Sequence, residues 1–321
     1  MNDVAAMNDL ANAFEPLYRD IEERDTYPKI RPHLAHYTSL EVVESILKSG
    51  ELWFSNPLYM NDFEEVKHSL KLSVESVKQS HALKEALKSE SMFETFALRF
   101  ELFVDHFEKE YLINAYIFCL SRHEMANDDG ILSMWRGYGA SGNGAAIVIA
   151  TERLNSKSQS PLIIDEVQYM TRQERSDWIR NKLIEASEII ARMEVSESSV
   201  ASIAFHVFER LRVFSFFSKH IGFSEENEWR IIYDPHRDHP AVNYANFYSY
   251  SIGRRGVEPK LKLNLIKTEF EMNVSDLIDK IIIGPTVSGE FSAKAFERML
   301  MMLDKPSLAS KVRVSGIPFR G

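Results

Sequence analysis

The sequence contains few of the residues that build disulfide-linked or metal-held scaffolds. Only one of its 321 residues, Cys119, is a cysteine, which excludes an internal disulfide framework and a cysteine-rich zinc site. The 13 glycines and 11 prolines are too few for a collagen-like or low-complexity chain. The ten histidines do not recur at the spacing of metal ligands, so we expect no metal.

Long apolar runs and an excess of positive charge are also missing. No stretch approaches the roughly 18 apolar residues of a membrane span, and the acidic N-terminus lacks the basic and apolar regions of a signal peptide. We therefore expect a cytoplasmic protein without a membrane partner. The formal net charge of −9 does not attract nucleic acid. A local basic surface could still do so, or these cations could simply be solvated: Lys219, Arg254, Arg255, Lys260 and Lys262.

What the sequence does have is enough apolar residues, 45%, to bury a sizeable core. Periodicity predicts an N-terminal helical extension over 1–30, followed by a single α+β domain over 31–321. Within that domain, helical insertions are predicted at about 63–112, as helices 63–90 and 92–112, and at about 171–217. Buried strands are predicted at 115–121, 145–150 and 280–283, and a further strand is predicted at 229–233. A half-exposed strand is predicted at 260–265, where apolar and polar residues alternate.

Five segments place polar or aromatic side chains beside predicted strands. In the first, His36 could hydrogen-bond a ligand and Tyr37 could offer a flat stacking face. The alternative is structural, because Thr38 or Ser39 can cap the helix that follows.

The second and third segments offer exposed aromatic residues. The loop after Ser55 could present Tyr59 and Asn61 to a ligand, or Asn61 could simply cap the next helix. Trp135 and Tyr138 lie three residues apart on one helical face, where they could form part of the core or a wall for base stacking. The glycine-rich turn at 139–144 lacks the lysine and the spacing of a phosphate-binding loop.

The fourth and fifth segments carry charge. Glu226 and Glu228 share one face if the strand has already begun at Glu226, and Arg230 could pair with Glu228. Such a carboxylate pair can orient a sugar hydroxyl and stabilise a cationic transition state, although a solvated acidic turn is an equal alternative. A metal-dependent hydrolase using Asp62, Glu64, Glu226 and Glu228 is a third possibility. Near the C-terminus, Arg320 could clamp an anion or belong to a disordered tail.

Several blocks in these segments resemble a bacterial family of proteins of unknown function (DUF2971). The blocks include HYTSLEVVESILKSGELWFSNPLYMNDFEE, FCLS, MWRGYGASGNGAAIVI, KHIGFSEENEWRII, IIIGP and VRVSGIPFR. They follow in order from residue 36 to residue 320, so the resemblance covers almost the whole chain. More distantly, the sequence resembles the ADP-ribosyltransferase superfamily, whose members cleave NAD⁺ at the bond between nicotinamide and ribose.

The second resemblance implies a fold and a site. The fold would be a bent, split β-sheet core, and NAD would be the substrate. His36 would contact the ribose on the adenosine side, and Tyr37, Tyr59 or Tyr138 would stack on nicotinamide. Glu228, in Glu226-Asn227-Glu228, would hold the 2′-hydroxyl of the other ribose. The following would complete the binding site: Thr38, Asn61, Trp135, Arg230 and Arg320.

The functional hypothesis is therefore an NAD-dependent ADP-ribosyltransferase, or an NAD glycohydrolase, of a toxin or phage-defence type. The acceptor would be a macromolecule: protein, DNA or RNA. The helical insertions could bind an antitoxin-like partner or a second copy of the chain. The alternative is a non-enzymatic module that uses the same pocket to bind a nucleotide or a partner.

Overall fold

A computed structural model describes residues 9–60, 63–139, 142–156, 160–238, 243–253, 256–286 and 289–318. The strands are β1 (His33–Ser39), β2 (Leu52–Ser55), β3 (Tyr116–His123), β4 (Gly144–Ala150), β5 (Leu162–Glu166), β6 (Gln168–Met170), β7 (Ser218–His220), β8 (Glu228–Tyr233), β9 (Tyr248–Gly253), β10 (Gly256–Leu263), β11 (Ile278–Ile283) and β12 (Val312–Val314). The helices are α1 (Arg19–Glu22), α2 (Leu40–Ser49), α3 (Phe63–Lys78), α4 (His81–Leu87), α5 (Glu90–His106), α6 (Leu132–Tyr138), α7 (Arg172–Ala191), α8 (Val200–Phe216), α9 (Val274–Leu277) and α10 (Gly289–Met302).

The described residues divide into two compact units. The first unit takes its residues from 1–26, 60–113 and 168–223, and the second from 27–59, 114–167 and 224–321. Both predicted insertions are helical, and their helices α3, α4, α5, α7 and α8 all belong to the first unit. The third part of that unit, at the start of the chain, includes a run of short helical segments from residue 9 to Glu22.

The predicted helix over 63–90 is wrong in its length, because two serines start new helices within it. Ser80 accepts a hydrogen bond from Leu83 N at 3.3 Å and caps α4. Ser89 does the same for α5, accepting from Met92 N at 3.4 Å. A serine hydroxyl satisfies a backbone N–H that the first turn of a helix leaves unpaired, so it favours a helix start over a helix interior.

The first unit is held by phenylalanine packing and by buried ion pairs. Phe100 and Phe107 on the α5 side contact Phe208 of α8 at ring-centroid distances of 6.0 and 6.1 Å. Arg210, only 2% exposed, donates to Asp20 Oδ2 at 2.6 Å. Two cations surround that carboxylate, since Lys182 Nζ lies 3.1 Å from Asp20 Oδ1. These contacts fix the short helix α1 against α7 and α8.

The second unit is built on one sheet. Among the described residues, ten strands form an open sheet that is antiparallel except where β11 and β12 run parallel. The strands follow the order β12-β11-β4-β1-β3-β2-β10-β9, and β8 and β5 extend from the other edge of β3. This mixed architecture confirms the predicted α+β class. Strand β9 was missing from the sequence prediction, and β10 begins four residues before the predicted start at 260.

The two faces of this sheet differ in chemistry because alternate strand residues point to opposite sides. We call the first the core face; its strand residues include Leu34, Phe118, Leu120, Trp229 and Ile231, which belong to one large buried apolar cluster. We call the second the opposite face. It carries Ala35 and Tyr37 from β1 in a smaller apolar cluster, and elsewhere buried polar and charged residues: Ser121, Asp165, Glu228 and Arg230.

Candidate functional site

The sheet forks beside β3. Strand β1 pairs with β3 only over His33–Ala35, while it stays paired with β4 from His33 to Ser39. Further along, the same edge of β3 pairs with β2, through Ser55 and Ile117. Between these two pairings, around Cys119, neither ladder continues among the described residues, so β1 and β2 diverge along this edge of β3.

His36 fills the fork. Its Nδ1 lies 2.9 Å from the carbonyl oxygen of Cys119, and its ring stacks on Phe118 at a centroid distance of 4.3 Å. A carbonyl can only accept, so Nδ1 of His36 carries the proton and donates it. The side chain thus supplies a hydrogen bond to the Cys119 carbonyl at the point where β1 diverges from β3.

The imidazole of His36 is neutral at physiological pH. Burial, with a smaller contribution from the charge of Lys260, lowers the pKa of His36 to about 4, although the hydrogen bond to Cys119 acts in the opposite direction. With the proton on Nδ1, Nε2 presents a lone pair that can accept a hydrogen bond. Nε2 has no hydrogen-bond partner among the described residues.

Glu228 and Arg230 form a buried ion pair on the opposite face. Arg230 Nε donates to Glu228 Oε1 at 2.7 Å, and Arg230 Nη2 donates to Oε2 at 3.0 Å. Glu228 is 4% exposed and Arg230 is 1% exposed. This two-point contact confirms the predicted pairing of the two residues. In the sheet, Glu228 is the cross-strand partner of Ser121 on β3.

Glu226 does not share a strand face with Glu228. Strand β8 begins at Glu228, and Glu226 ends the 3-10 segment Ile221–Glu226. Between them, Asn227 adopts a φ of 42°, in the left-handed region. The condition for a shared face, a strand that has already begun at Glu226, is therefore not met, because this turn breaks the period-two alternation.

Tyr37 and Trp135 lie together on the opposite face. Their rings meet edge to face at 4.8 Å, and both are buried in the cluster that also contains Met134. The Tyr37 hydroxyl accepts from Ile131 N at 2.9 Å, and burial raises the pKa of Tyr37 to about 12. Trp135 Nε1 donates to the carbonyl of Asp129 at 2.8 Å.

A cavity of about 370 Å³ lies on the outer side of Trp135. Its lining residues are Leu132, Trp135, Arg136, Gly139, Gly142, Gly284, Pro285, Ile317 and Pro318. Two glycines let the indole sit this close to the backbone: a Cβ at Gly130 or Gly284 would come within 2.8 or 2.9 Å of the Trp135 ring. Gly130 also has a φ of +76°, which favours glycine.

The remaining predicted residues are more scattered. Thr38 pairs with Ala145 in the β1–β4 ladder, and Ser39 caps α2 by accepting from Val42 N at 3.3 Å. Tyr59 is half-buried in the 3-10 turn Pro57–Tyr59, and Tyr138, 46% exposed, ends α6. Asn61, Asp62 and Arg320 lie outside the described residues.

The sequence analysis did not predict a site role for two residues near the fork. Ser121 is fully buried, and its hydroxyl has no hydrogen-bond partner among the described residues. Lys260, considered only as surface charge, donates to Ser55 Oγ at 3.0 Å and pairs with Glu258 at 3.3 Å. Alternation along FCLS would have placed Ser121 on the same face as Cys119, away from the apolar core.

Within the described part of the chain, no group of three or more His, Cys, Asp or Glu side chains is arranged to hold a metal ion. Over the same residues, no helix is both long enough and apolar enough to cross a bilayer.

Comparison with known proteins gives one match. The family model described as "Protein of unknown function (DUF2971)" matches residues 134–231, which confirms the predicted resemblance to that family over this segment. The segment runs from α6 to β8 and includes Trp135, Glu228 and Arg230. No curated protein and no solved structure matches the chain significantly.

Proposed function

We propose that this protein is an NAD-dependent ADP-ribosyltransferase of a toxin or phage-defence type, with a bent, split sheet of the kind found in that superfamily. The observation that carries the proposal is the buried carboxylate of Glu228, which two hydrogen bonds from Arg230 hold on the opposite face of the sheet. His36 lies across β3 from it, in the fork, and its side chain leaves β1 on the same face as Leu34. The acceptor is a macromolecule, with nucleic acid as one candidate.

In this proposal His36 binds the ribose on the adenosine side of NAD⁺. Since Nδ1 already donates to Cys119, Nε2 is the atom whose lone pair accepts a hydrogen bond from a ribose hydroxyl. A pKa of about 4 keeps this lone pair unprotonated over the physiological range. Protonation would turn Nε2 into a donor and add a positive charge, so the low pKa suits the assigned role.

Glu228 acts on the other ribose. The bond between C1′ and the nicotinamide nitrogen breaks with its electron pair, and nicotinamide leaves as a neutral molecule. Positive charge develops on the ribose, and a nearby carboxylate stabilises it. The acceptor then forms a bond to C1′ and loses a proton. Two hydrogen bonds from Arg230 hold the Glu228 carboxylate in place, and its oxygens are the atoms that would accept the 2′-hydroxyl.

The test is nicotinamide release from NAD⁺ by the full chain, with and without cell extract as a source of acceptors. E228Q should abolish release, because it removes the negative charge and keeps the shape of the side chain. E269Q is a matched control: Glu269 is also 4% exposed, but it binds the hydroxyl of Tyr244. H36A should weaken NAD⁺ binding, with H33A on the same strand as its control.

The non-enzymatic alternative gives a different result in the same assay. A binding module would be stabilised against thermal unfolding by NAD⁺, since a ligand that binds only the folded state raises Tm, but it would release no nicotinamide. Absence of release with protein, DNA and RNA acceptors would refute the transferase proposal.

A further inference from the structure

Strands β9 and β10 form a hairpin that extends past the rest of the sheet. Strand β10 pairs with β9 over residues 256–261, but it pairs with β2 only over 260–263. Among the described strands, residues 256–259 therefore pair with β9 alone. A two-stranded ribbon of this kind is only marginally stable in water when no further strand or helix covers it.

One face of this hairpin is apolar and exposed. Tyr250 is 59% exposed, Ile252 76% and Val257 62%. Val257 is the cross-strand partner of Ile252, and it lies four residues before Leu261, which belongs to the large apolar cluster of the core face. Because alternate residues of a strand share a face, all three exposed side chains continue the core face of the sheet. The apolar surface of the core face thus runs into the hairpin, where it is in contact with solvent.

The outer edge of β9 lacks the features that usually protect the edge of a sheet. Strand β9 ends the strand order, and among the described residues it pairs only with β10. Its six residues, YSYSIG, include no charged residue and no proline, and its register with β10 runs without a bulge. The edge of β10 that extends past β2 differs, since it carries Pro259, which has no backbone N–H to donate. The edge of β9 is therefore the one that is open to a further strand.

The order of residues in β9 suits a second copy of the same strand. Apolar residues alternate with serines, as Tyr-Ser-Tyr-Ser-Ile, so the pattern is the same in both directions around the central residue, Tyr250. In an antiparallel pair with a two-fold axis at Tyr250, tyrosine faces tyrosine, Tyr248 faces Ile252, and serine faces serine. Aromatic–aromatic and aromatic–β-branched pairs stabilise a sheet. No charged side chains of β9 meet in this pairing, although each copy carries a net charge of −9.

The area available on β9 fits a weak dimer. Tyr248 is 39% exposed and Tyr250 59%, so their exposed parts together amount to about one aromatic side chain, or roughly 150–250 Å². Even with Ile252 and the strand backbone, two copies bury less than the roughly 1,200 Å² of a standard stable interface. Association should therefore depend on protein concentration.

We propose that β9 pairs with β9 of a second copy, antiparallel and about a two-fold axis at Tyr250, so that the two sheets join into one. The pairing covers the exposed apolar side chains of β9. It also gives partners to the backbone N–H and C=O groups that point away from β10. The dimer uses none of the residues assigned to the nucleotide site, so it does not depend on the proposed transferase activity.

Analytical ultracentrifugation of the full chain, from about 1 to about 200 μM, tests the dimer in the range of weak interfaces. The dimeric fraction of wild type should rise with concentration. Y250K and Y250E should each raise the Kd of the dimer more than about 10-fold, because each places like charges directly opposite one another. F291K is the matched control: Phe291 on α10 is 77% exposed but lies outside the hairpin, so this variant should dimerise as wild type does.

Mixing Y250K with Y250E tests the position of the two-fold axis. If Tyr250 of one copy faces Tyr250 of the other, the mixed pair brings opposite charges together. The mixture should then dimerise, although neither variant does so alone. Thermal unfolding of each variant, followed by circular dichroism, shows that the loss of the dimer does not come from a loss of folding. We expect little change in Tm, because Tyr250 is exposed in the single chain.

Three results would overturn the proposal. The first is a wild type that remains monomeric at about 200 μM, above the range of weak interfaces. The second is dimerisation of Y250K and Y250E as strong as that of F291K, which would place the interface on another surface, such as the helical insertions. The third is a mixture of folded Y250K and Y250E that stays monomeric, since the two copies of Tyr250 would then not face each other.

Discussion

The two faces of the sheet in the second unit illustrate different uses of a buried surface. Adjacent residues of β8 show the contrast: Trp229 points into the large apolar cluster, while Arg230 points to the opposite face and grips Glu228. Both are 1% exposed. Burying an apolar ring favours folding, whereas burying a charge is costly unless it is well paired. An apolar pair could fill the same space without this cost, so folding alone does not explain the buried charges. The charged face is therefore the better candidate for a functional surface.

The largest effect should come from the core face. W229A should destabilise the protein by about 3–5 kcal/mol, since it removes a fully buried aromatic ring and leaves a cavity. Urea unfolding would measure this, and activity per folded molecule should change little. A loss below about 1 kcal/mol would show that the apolar cluster can collapse around the gap.

Breaking the ion pair on the opposite face should lower the free energy of unfolding nearly as much, but for a different reason. R230M should destabilise by about 3 kcal/mol, because Glu228 loses the guanidinium that neutralises it in a buried site. The double variant E228Q/R230M should recover most of this loss, since no charge is left to bury. If the double variant is as unstable as R230M, the shape of the arginine matters more than its charge.

The contrast between the two faces also marks the limit of what the sequence predicts. Local patterns were sufficient for the strands β4 and β8 and for the cap of α2, where Ser39 occupies one of the two expected positions. Alternation also predicted that Glu228 and Arg230 could meet. These predictions succeed because each depends on residues close together in sequence.

The fork could not be predicted in the same way. It depends on which strands pair with β3 and where each pairing stops, and His36 and Cys119 are 83 residues apart. Hydrophobic periodicity shows which face of a strand is buried, but it does not show which strands pair or where each pairing stops. The unpaired hydroxyl of Ser121 was hidden for the same reason, since its neighbours Ala35 and Glu228 come from distant segments.

The third effect concerns the pH dependence contributed by His36. Its pKa is about 4 when folded and about 6.5 when unfolded. Between these values the unfolded chain binds more protons, so stability falls as the pH falls from about 6.5 to about 4. We expect wild type to lose about 1–2 kcal/mol relative to H36N over this range, less than the full shift implies, because the half-buried ring is partly screened by water.

Urea unfolding of wild type and H36N at several pH values would test this. Asparagine can keep a donor near the Cys119 carbonyl while it removes the titrating ring. H33N, on the same strand, controls for other changes in the pH dependence. If the stabilities of wild type and H36N change in parallel with pH, the ring titrates at its ordinary pKa. The argument for a neutral imidazole in the fork would then be wrong.

The smallest effect on stability is expected at Ser121. Whether S121A raises or lowers the free energy of unfolding tests whether this residue of the opposite face serves folding. The Ser121 hydroxyl is buried and has no hydrogen-bond partner in the described part of the chain, so S121A should leave stability unchanged or raise it by up to about 1 kcal/mol. Ser315 is also buried, but it donates to the Asp129 carbonyl at 2.8 Å, so S315A should cost about 1 kcal/mol. Under the proposed function Ser121 belongs to the site, as the cross-strand partner of Glu228. S121A should then slow nicotinamide release while S315A should not. If S121A is as destabilising as S315A, the hydroxyl already has a partner in the free protein, such as a buried water, and its place in the site loses support.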